Sequence, residues 1–204
     1  MTRKLTETRI VLASHNKGKL REIAALVEPF GIAVVSAGDL GLPEPPETED
    51  TFAGNARIKA HAAAKGSNLP ALSDDSGITV DGLGGQPGVY TADWAETPDG
   101  RDFPMAMTKV WNMLENIGFP EPRFAQFRCT LCLAWPDGHD EVFEGVCPGS
   151  LTWPMRGDQG FGFDPIFVPE GETETFGEMD PARKHAMSHR ADAFAKFKAA
   201  CLGA

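Results

Sequence analysis

Short apolar runs alternate with segments of helical periodicity along the first third of the chain. Residues 9–14 form a brief apolar run, which predicts a buried strand. The next segment places apolar residues at helical spacing, namely Leu20, Ile23, Ala24 and Val27. A second strand is predicted over 32–36, followed by an alanine-rich helix over 51–65 that ends at Gly66.

The rest of the chain adds a hairpin to this alternation. Segments 71–73 and 78–80 are apolar strands on either side of an acidic tetrapeptide, and residues 107–117 have helical periodicity. Apolar and polar residues then alternate over 125–133, and a Pro-Asp-Gly turn leads into a further strand over 141–146. Strands interleaved with helices predict an α/β fold with a mixed sheet. The hairpin either extends that sheet or forms a second lobe, and a cleft between lobes is a natural ligand site.

Composition and charge narrow the class of partner. The chain has 204 residues, of which 42% are hydrophobic and 24% charged, as in a folded globular protein. We expect a single domain over 1–204. With 19 Lys and Arg against 29 Asp and Glu, the net charge is −10, which argues against a nucleic-acid polymer as partner. A small phosphate ligand remains compatible, because a divalent cation can bring it to an acidic site.

The sequence also allows a prediction of the cellular compartment. No segment has the roughly 18 consecutive apolar residues of a membrane span, so we expect no membrane partner. Residues 1–9 are polar and lack the hydrophobic core of a signal peptide. Of the four sparse cysteines, Cys129 and Cys132 lie on the alternating strand, where their spacing sends them to opposite faces. We therefore expect reduced thiols in a cytoplasmic protein.

A lysine-rich hexapeptide joins the first predicted strand to the first helix. It consists of Ser14, His15, Asn16, Lys17, Gly18 and Lys19. Free backbone N–H groups at the start of a helix, the helix dipole and two lysines favour an anion there. The spacing is not that of a P-loop. The alternative interpretation is a solvated helix start capped by Asn16.

Two adjacent carboxylates, Asp74 and Asp75, lie within the acidic tetrapeptide. Adjacent carboxylates repel, so a cation or hydrogen-bond donors must compensate. Mg²⁺ prefers one or two carboxylates together with water and substrate phosphate. The proline-rich loop upstream offers a second carboxylate from Glu47, Glu49 or Asp50. The alternative interpretation is an ordinary Asx turn closed by Gly77.

A pair of phenylalanines, Phe161 and Phe163, flanks Gly162 immediately before Asp164 and Pro165. An exposed ring there is suited to stacking on a nucleobase, at about 1–3 kcal/mol per base. The alternative is that both rings enter the core, which is the more frequent fate of phenylalanine. Both interpretations hold if one ring is exposed and the other is buried in the core.

Lys184, His189 and Arg190 form a cationic group late in an otherwise acidic chain. The N–H groups of His and Arg suit a carbonyl oxygen on a base, whereas the alternative is a set of cations on a solvated helix. His185 and His189 are four residues apart, but the HExxH pattern is absent and we do not expect zinc.

In their order along the chain, these segments resemble the inosine triphosphate pyrophosphatase family, and the resemblance covers nearly the whole sequence. The blocks are Ser14-x-Asn16-x-x-Lys19; Glu47-Thr-x-x-Thr-Phe52 with Asn55-Ala56 and Lys59-Ala60; Ser73-Asp-Asp-Ser-Gly77 with Val80-Asp81 and Gly85-x-Pro-Gly-Val-Tyr90; Gly160-Phe-Gly-Phe-Asp-Pro-Ile-Phe167; and Ser188-His-Arg190. One departure follows the third block. The family commonly has Ser-Ala-Arg where this chain has Thr91-Ala92-Asp93, so no role of that arginine is transferred.

The resemblance implies a fold and a reaction. The fold would be a mixed twisted sheet flanked by helices, with two lobes around a central nucleotide-binding cleft. The reaction would be magnesium-dependent hydrolysis of ITP, dITP and XTP to the monophosphate and pyrophosphate. Glu47 and Asp75 would hold Mg²⁺, Asp75 would also act as general base, and Lys19 would neutralise developing charge.

The resemblance further implies two groups of substrate contacts. The phosphate contacts would come from Ser14, His15, Asn16, Lys17, Gly18, Lys19 and Ser76. The base contacts would come from Phe161, Gly162, Phe163, Asp164, Lys184, His189 and Arg190. Donors from His189 and Arg190 would meet the 6-keto oxygen of hypoxanthine or xanthine and would be left unpaired against the 6-amino group of adenine.

Homodimerisation is implied by the resemblance alone. Two other functions remain open at this point. One is a non-catalytic nucleotide-binding module, which would bind ITP or XTP without turnover. The other is a pyrophosphatase for modified pyrimidine nucleotides, which Lys19 and the late Ser-His-Arg segment disfavour.

Overall fold

Six strands form one mixed sheet in the computed structural model. The structure describes residues 2–14 and 17–203. Within the first helix, it describes only the backbone of residues 17–19, 21 and 22. The strands are β1 (Arg9–Leu12), β2 (Ala33–Ser36), β3 (Ala71–Val80), β6 (Arg123–Ala134), β7 (Asp140–Leu151) and β8 (Phe167–Pro169). Their order in the sheet is β2-β1-β3-β6-β7-β8. β1 runs parallel to β2 and β3, whereas β7 and β8 are antiparallel. A separate two-stranded ribbon pairs β4 (Glu96–Thr97) with β5 (Gly100–Arg101).

Helices separate most of these strands. They are α1 (Lys17–Val27), α2 (Phe52–Ser67), α3 (Phe103–Asn116), α4 (Pro181–Met187) and α5 (His189–Phe197), which continues as a π-helical turn over Lys198–Leu202. The predicted α/β fold with a mixed sheet is confirmed, and the hairpin of β6 and β7 extends the sheet. Among the helices of the described residues, none combines the length and the apolar character that crossing a bilayer requires.

The chain divides into two compact units. Unit 1 consists of Met1–Asp75, Cys129–Glu144 and Ala193–Ala204, and unit 2 of Ser76–Arg128 and Gly145–Asp192. Each unit has its own hydrophobic core. The core of unit 2 gathers Phe127, Phe167 and Phe176, whose rings pack edge-on, stacked or tilted with centroids 4.6 to 5.9 Å apart.

The sheet of unit 1 is covered by different side chains on its two faces. Cys129 belongs to a cluster of large apolar residues that includes Trp135 and Phe197. Cys132 belongs to a second cluster, built mainly from alanines of α2 and neighbouring strands. The two cysteines therefore point to opposite faces, as predicted from their spacing. All four cysteines are buried, and none of them forms a disulfide bond within the described residues.

Two predicted boundaries are wrong. The acidic tetrapeptide does not interrupt two strands, because β3 is continuous from Ala71 to Val80. A strand accommodates these polar residues because α2 provides partners: the Ser73 hydroxyl donates to the Ala56 carbonyl at 2.6 Å. Helix α2 also passes through Gly66 and ends at Asn68, whose φ of 56° lies in the left-handed region that asparagine tolerates.

Candidate active site

The loop before α2 is tied to the first turn of that helix. Thr51 caps the helix by accepting a hydrogen bond from the Gly54 N–H at 3.1 Å. Asn55, which is buried, accepts a hydrogen bond from the Glu49 N–H through Oδ1 at 2.9 Å. These two contacts hold the end of the proline-rich loop against α2, so that Glu47 lies beside the same helix.

Lys59 of α2 joins two carboxylates that are distant in sequence. Its Nζ donates to Glu47 Oε1 at 2.5 Å and lies 3.7 Å from Asp75 Oδ1. Lys59 and Asp75 are buried, whereas Glu47 is exposed. The structure therefore brings the two predicted metal ligands to one cation, all within unit 1.

The charge state of Lys59 follows from its neighbours. Burial by itself would lower the pKa of Lys59, but the charge of Asp75, the hydrogen bond to Glu47 and the charge of Asp74 raise the pKa above its ordinary value. Lys59 is therefore a firmly protonated ammonium at neutral pH. This cation provides the compensation that adjacent carboxylates require.

Lys59 is a site residue whose role the sequence analysis missed. Its position carried a signal, because Ala56, Ala60 and Ala63 place the surrounding turns of α2 on a buried face. A lysine on such a face needs an anionic partner. The periodicity alone did not indicate which of the three carboxylates Glu47, Glu49 and Asp50 would be that partner.

The predicted anion site at the start of α1 is only partly described. His15 and Asn16 lie outside the described residues, as do the side chains of Lys17, Gly18 and Lys19. Ser14 is half-buried after β1. Ser76, also half-buried, follows Asp75 within β3. The phosphate contacts assigned to these residues stay predictions.

Unit 2 carries the aromatic segment, and its two rings point in opposite directions. Phe161 is 61% exposed, whereas Phe163 is 1% exposed and packs edge-on against Phe103 with centroids 6.4 Å apart. Phe161 is thus available for stacking. Phe163 is a core side chain, so any contact between Phe163 and a substrate can involve only its backbone. Gly162 between them is half-buried.

Asp164 organises the backbone around the exposed ring. The Phe161 N–H donates to Asp164 Oδ2 at 2.7 Å, and Lys184 forms an ion pair with the same oxygen. The Lys184 ammonium also lies 5.1 Å from the centroid of the Phe161 ring. Burial raises the pKa of Asp164, and the neighbouring Lys184 opposes that rise. Gly160, with φ of +75°, is required here because a Cβ would lie 2.1 Å from Asp164 Oδ2.

The Ser-His-Arg segment forms the junction between α4 and α5. Ser188 Oγ accepts a hydrogen bond from the Ala191 N–H at 3.2 Å. The His189 ring stacks on Phe127 with centroids 5.1 Å apart and an interplanar angle of 16°. His189 and Arg190 are both buried, not spread over a solvated helix surface. Their predicted contact with a base stays a prediction.

Within residues 2–14 and 17–203, no group of three or more His, Cys, Asp or Glu side chains is arranged to hold a metal ion. Glu47 and Asp75 are a pair of carboxylates that meet at Lys59. Two carboxylates suit Mg²⁺, which fills its remaining positions with water and phosphate oxygens.

Comparison with known proteins gives consistent results. The sequence matches the Ham1 family over residues 10–200. It is 64% identical to a dITP/XTP pyrophosphatase of Ruegeria pomeroyi over 100% of both chains. It is 57% identical to a dITP/XTP pyrophosphatase of Agrobacterium fabrum over 99% of this chain and 100% of that relative.

Solved structures of Ham1 proteins and of a related pyrophosphatase also match this chain. A HAM1 protein from Coxiella burnetii matches with a TM-score of 0.88 at 35% identity, covering 95% of this chain and 98% of that one. A nucleoside-triphosphatase / dITP/XTP pyrophosphatase from Mycobacterium abscessus matches with a TM-score of 0.78 at 37% identity, covering 93% and 98%. The chain belongs to the Ham1 family.

Proposed function

We propose that this protein hydrolyses the non-canonical purine nucleoside triphosphates ITP, dITP and XTP to the monophosphate and pyrophosphate, and so removes them from the nucleotide pool. The curated relatives over the full length are named dITP/XTP pyrophosphatases, which supports a purine substrate over a modified pyrimidine. The observation that carries the proposal is the convergence of Glu47 and Asp75 on Lys59.

Glu47 and Asp75 would hold a divalent cation, and Mg²⁺ is the one proposed. The fit rests on the chemistry of this donor set: both side chains are carboxylates, both already face one positive charge, and Glu47 remains accessible from solvent. When bound, Mg²⁺ would supply Lewis-acid neutralisation of the phosphate oxygens.

The residues of unit 1 then have separate tasks in the hydrolysis. The oxygen of the attacking water forms a bond to the α-phosphorus, and Asp75 takes the proton that the water loses. The bond between the α-phosphorus and the α–β bridging oxygen breaks, and that oxygen leaves with pyrophosphate. The Lys59 ammonium and, in the prediction, Lys19 counter the negative charge that develops on these oxygens. Asp74, which is buried beside them, adds to the field that keeps Lys59 protonated.

The residues of unit 2 would recognise the base. Phe161 offers an exposed ring for stacking, and the ion pair of Asp164 with Lys184 keeps that ring in place. The N–H groups of His189 and Arg190 would donate to the 6-keto oxygen. Against adenine, these buried donors would face another donor, and a mismatch of this kind discriminates strongly.

We also propose that the protein acts in the cytoplasm as a homodimer, with the whole chain working as one pyrophosphatase domain. Its partner would be the small nucleotide, since a net charge of −10 disfavours a nucleic-acid polymer. Light scattering coupled to size-exclusion chromatography measures the mass in solution, for which one chain is 22.0 kDa. A mass of one chain would refute the dimer.

The deciding experiment is a nucleotide panel assayed with and without Mg²⁺, with pyrophosphate and orthophosphate scored separately. We expect pyrophosphate from ITP, dITP and XTP and little from ATP, only when Mg²⁺ is present. Tight binding of ITP or XTP without turnover would favour the non-catalytic module instead. Turnover confined to modified pyrimidine nucleotides would favour the second alternative.

Asp75→Asn tests the central residue within that assay. We expect a folded protein with turnover nearly abolished, because the amide neither accepts the proton nor holds the cation well. Asp99→Asn, an exposed carboxylate in the turn between β4 and β5, is the control and should retain wild-type turnover. Survival of turnover in Asp75→Asn would remove Asp75 from the mechanism.

A further inference from the structure

Helix α2 is held on the side opposite to Lys59 by a single carboxylate. Arg57 and His61 are one turn apart and both contact Asp140, the first residue of β7. Arg57 Nε donates to Asp140 Oδ1 at 3.1 Å and lies 3.3 Å from Oδ2, while His61 Nε2 lies 2.9 Å from Oδ2. Lys59 lies two residues from each, so at 3.6 residues per turn it projects from the opposite side of the helix.

Asp140 is ionised in this arrangement. Burial by itself would raise the pKa of Asp140, but the hydrogen bonds from His61 and Arg57 and the Arg57 charge lower the pKa below its ordinary value. Its side chain is largely enclosed, whereas Arg57 is half-exposed. The carboxylate is thus a fixed anchor on the sheet, and the two helix side chains converge on it.

The packing of α2 makes such an anchor necessary. The buried face of the helix consists largely of alanines, namely Ala56, Ala60, Ala63 and Ala64. It packs within a cluster whose other members are also small, including Ala71, Cys132 and Ala134. Helices are normally oriented by ridges of large side chains in the grooves of their neighbours. Methyl groups form shallow ridges, so this face resists rotation and sliding of α2 only weakly.

We propose that Asp140 is a positioning residue for the reaction. Its contacts with Arg57 and His61 fix the rotation and axial position of α2, and this holds the Lys59 ammonium between Glu47 and Asp75. A small rotation or shift of α2 would change the distances from Lys59 to both carboxylates, because the side chains of a helix move together with its backbone. The kinetic part of this inference rests on the proposed function; the structural part does not.

The test compares Asp140→Ala with Asp137→Ala. Asp137 lies in the turn immediately before β7, pairs with Arg3 at 2.6 Å and is the matched control. Three quantities are measured: kcat for pyrophosphate release from dITP, the melting temperature, and the rate at which an amine-reactive ester acetylates Lys59, followed by peptide mass spectrometry. We expect Asp140→Ala to lower kcat about tenfold, as a small misplacement of a catalytic group does. We also expect faster acetylation of Lys59, whereas Asp137→Ala matches the wild type in both.

A conservative variant separates positioning from general stability. His61→Gln keeps a donor for Asp140 and should retain most of the wild-type kcat, whereas His61→Ala should not. If Asp140→Ala does not fold, the double variant Arg57→Ala with His61→Ala removes the same contacts from the more exposed partners. A lower melting temperature with kcat and Lys59 acetylation unchanged would overturn the proposal. If the wild type releases no pyrophosphate, the proposed function fails, and the acetylation rate still decides whether Asp140 positions Lys59.

Discussion

Lys59 and Glu47 form a 2.5 Å ion pair between the middle of α2 and the loop that precedes it. The pair is charge-assisted and one partner is buried, so it is among the stronger hydrogen bonds available to a protein. Asp75 approaches the same ammonium from β3. One cation therefore links three segments of unit 1, and removing it leaves uncompensated negative charge.

Replacing Lys59 by methionine should impair both turnover and folding. We expect kcat for dITP to fall about 100-fold, because the proposed function places this positive charge beside the reacting phosphates. Lys65→Met, on an exposed position in the last turn of the same helix, provides the control for charge and helix propensity. Equal kcat values for the two variants would show that Lys59 has only a structural role.

The same ion pair predicts a dependence of stability on pH. The pKa of Lys59 is raised in the folded protein above its ordinary value of 10.5. The stabilisation is therefore complete below pH 10.5 and is lost as pH rises from there through the folded pKa. Urea unfolding of wild type and Lys59→Met at pH 8 to 9 and near pH 11 should show a difference in unfolding free energy that shrinks at the higher pH. A difference that stays constant would contradict a raised pKa.

The sequence indicated more of the fold than of the site's internal contacts. Periodicity located α2, and strict alternation located β6, because both depend on which positions face a core. The continuity of β3 could not be predicted, since its polar residues have tertiary partners, such as the Ala56 carbonyl of α2 that the Ser73 hydroxyl reaches. Tertiary contacts of that kind leave no periodic signal.

The sequence pattern also does not indicate which carboxylate of the proline-rich segment pairs with Lys59. Glu47, Glu49 and Asp50 all carry a carboxylate, so composition cannot show which of them is the partner of Lys59. The resemblance to a family selected Glu47, and the structure places Glu47 against Lys59 because Asn55 ties the Glu49 N–H to α2. A side chain that hydrogen-bonds a loop backbone six residues away is invisible to hydrophobic patterning.

Asn55 should therefore affect the proposed binding of Mg²⁺ by Glu47 and Asp75. In Asn55→Ala the Glu49 N–H loses its acceptor, the loop loosens, and Glu47 is held less firmly. We expect the Mg²⁺ concentration for half-maximal activity to rise about tenfold to 100-fold, as when outer-sphere partners of metal ligands are removed. Asn68→Gly, at the left-handed cap of the same helix, is the control and should leave the Mg²⁺ titration unchanged. An unaltered Mg²⁺ titration in Asn55→Ala would separate the loop from metal binding.

The two phenylalanines of unit 2 should respond differently to truncation. Phe161→Ala removes an exposed ring, so we expect a higher KM for dITP with little change in melting temperature. Phe163→Ala removes a buried ring and should cost about 3 to 5 kcal/mol of unfolding free energy. Thermal melts and Michaelis curves on both variants check this. A KM for Phe161→Ala equal to that of the wild type would exclude base stacking on this ring.

Arg190 should set the preference for a 6-keto purine. It is buried and follows His189, whose ring stacks on Phe127. In the proposed function, Arg190→Ala removes donors that would favour hypoxanthine and oppose adenine. We expect the ratio of kcat/KM for ITP over ATP to fall about tenfold or more. Arg183→Ala, which breaks only the exposed pairs with Glu172 and Glu174, should preserve that ratio. If both variants keep the wild-type ratio, discrimination between the 6-keto and 6-amino groups must come from the remaining base contacts, with Phe161 and Lys184 as the next residues to replace.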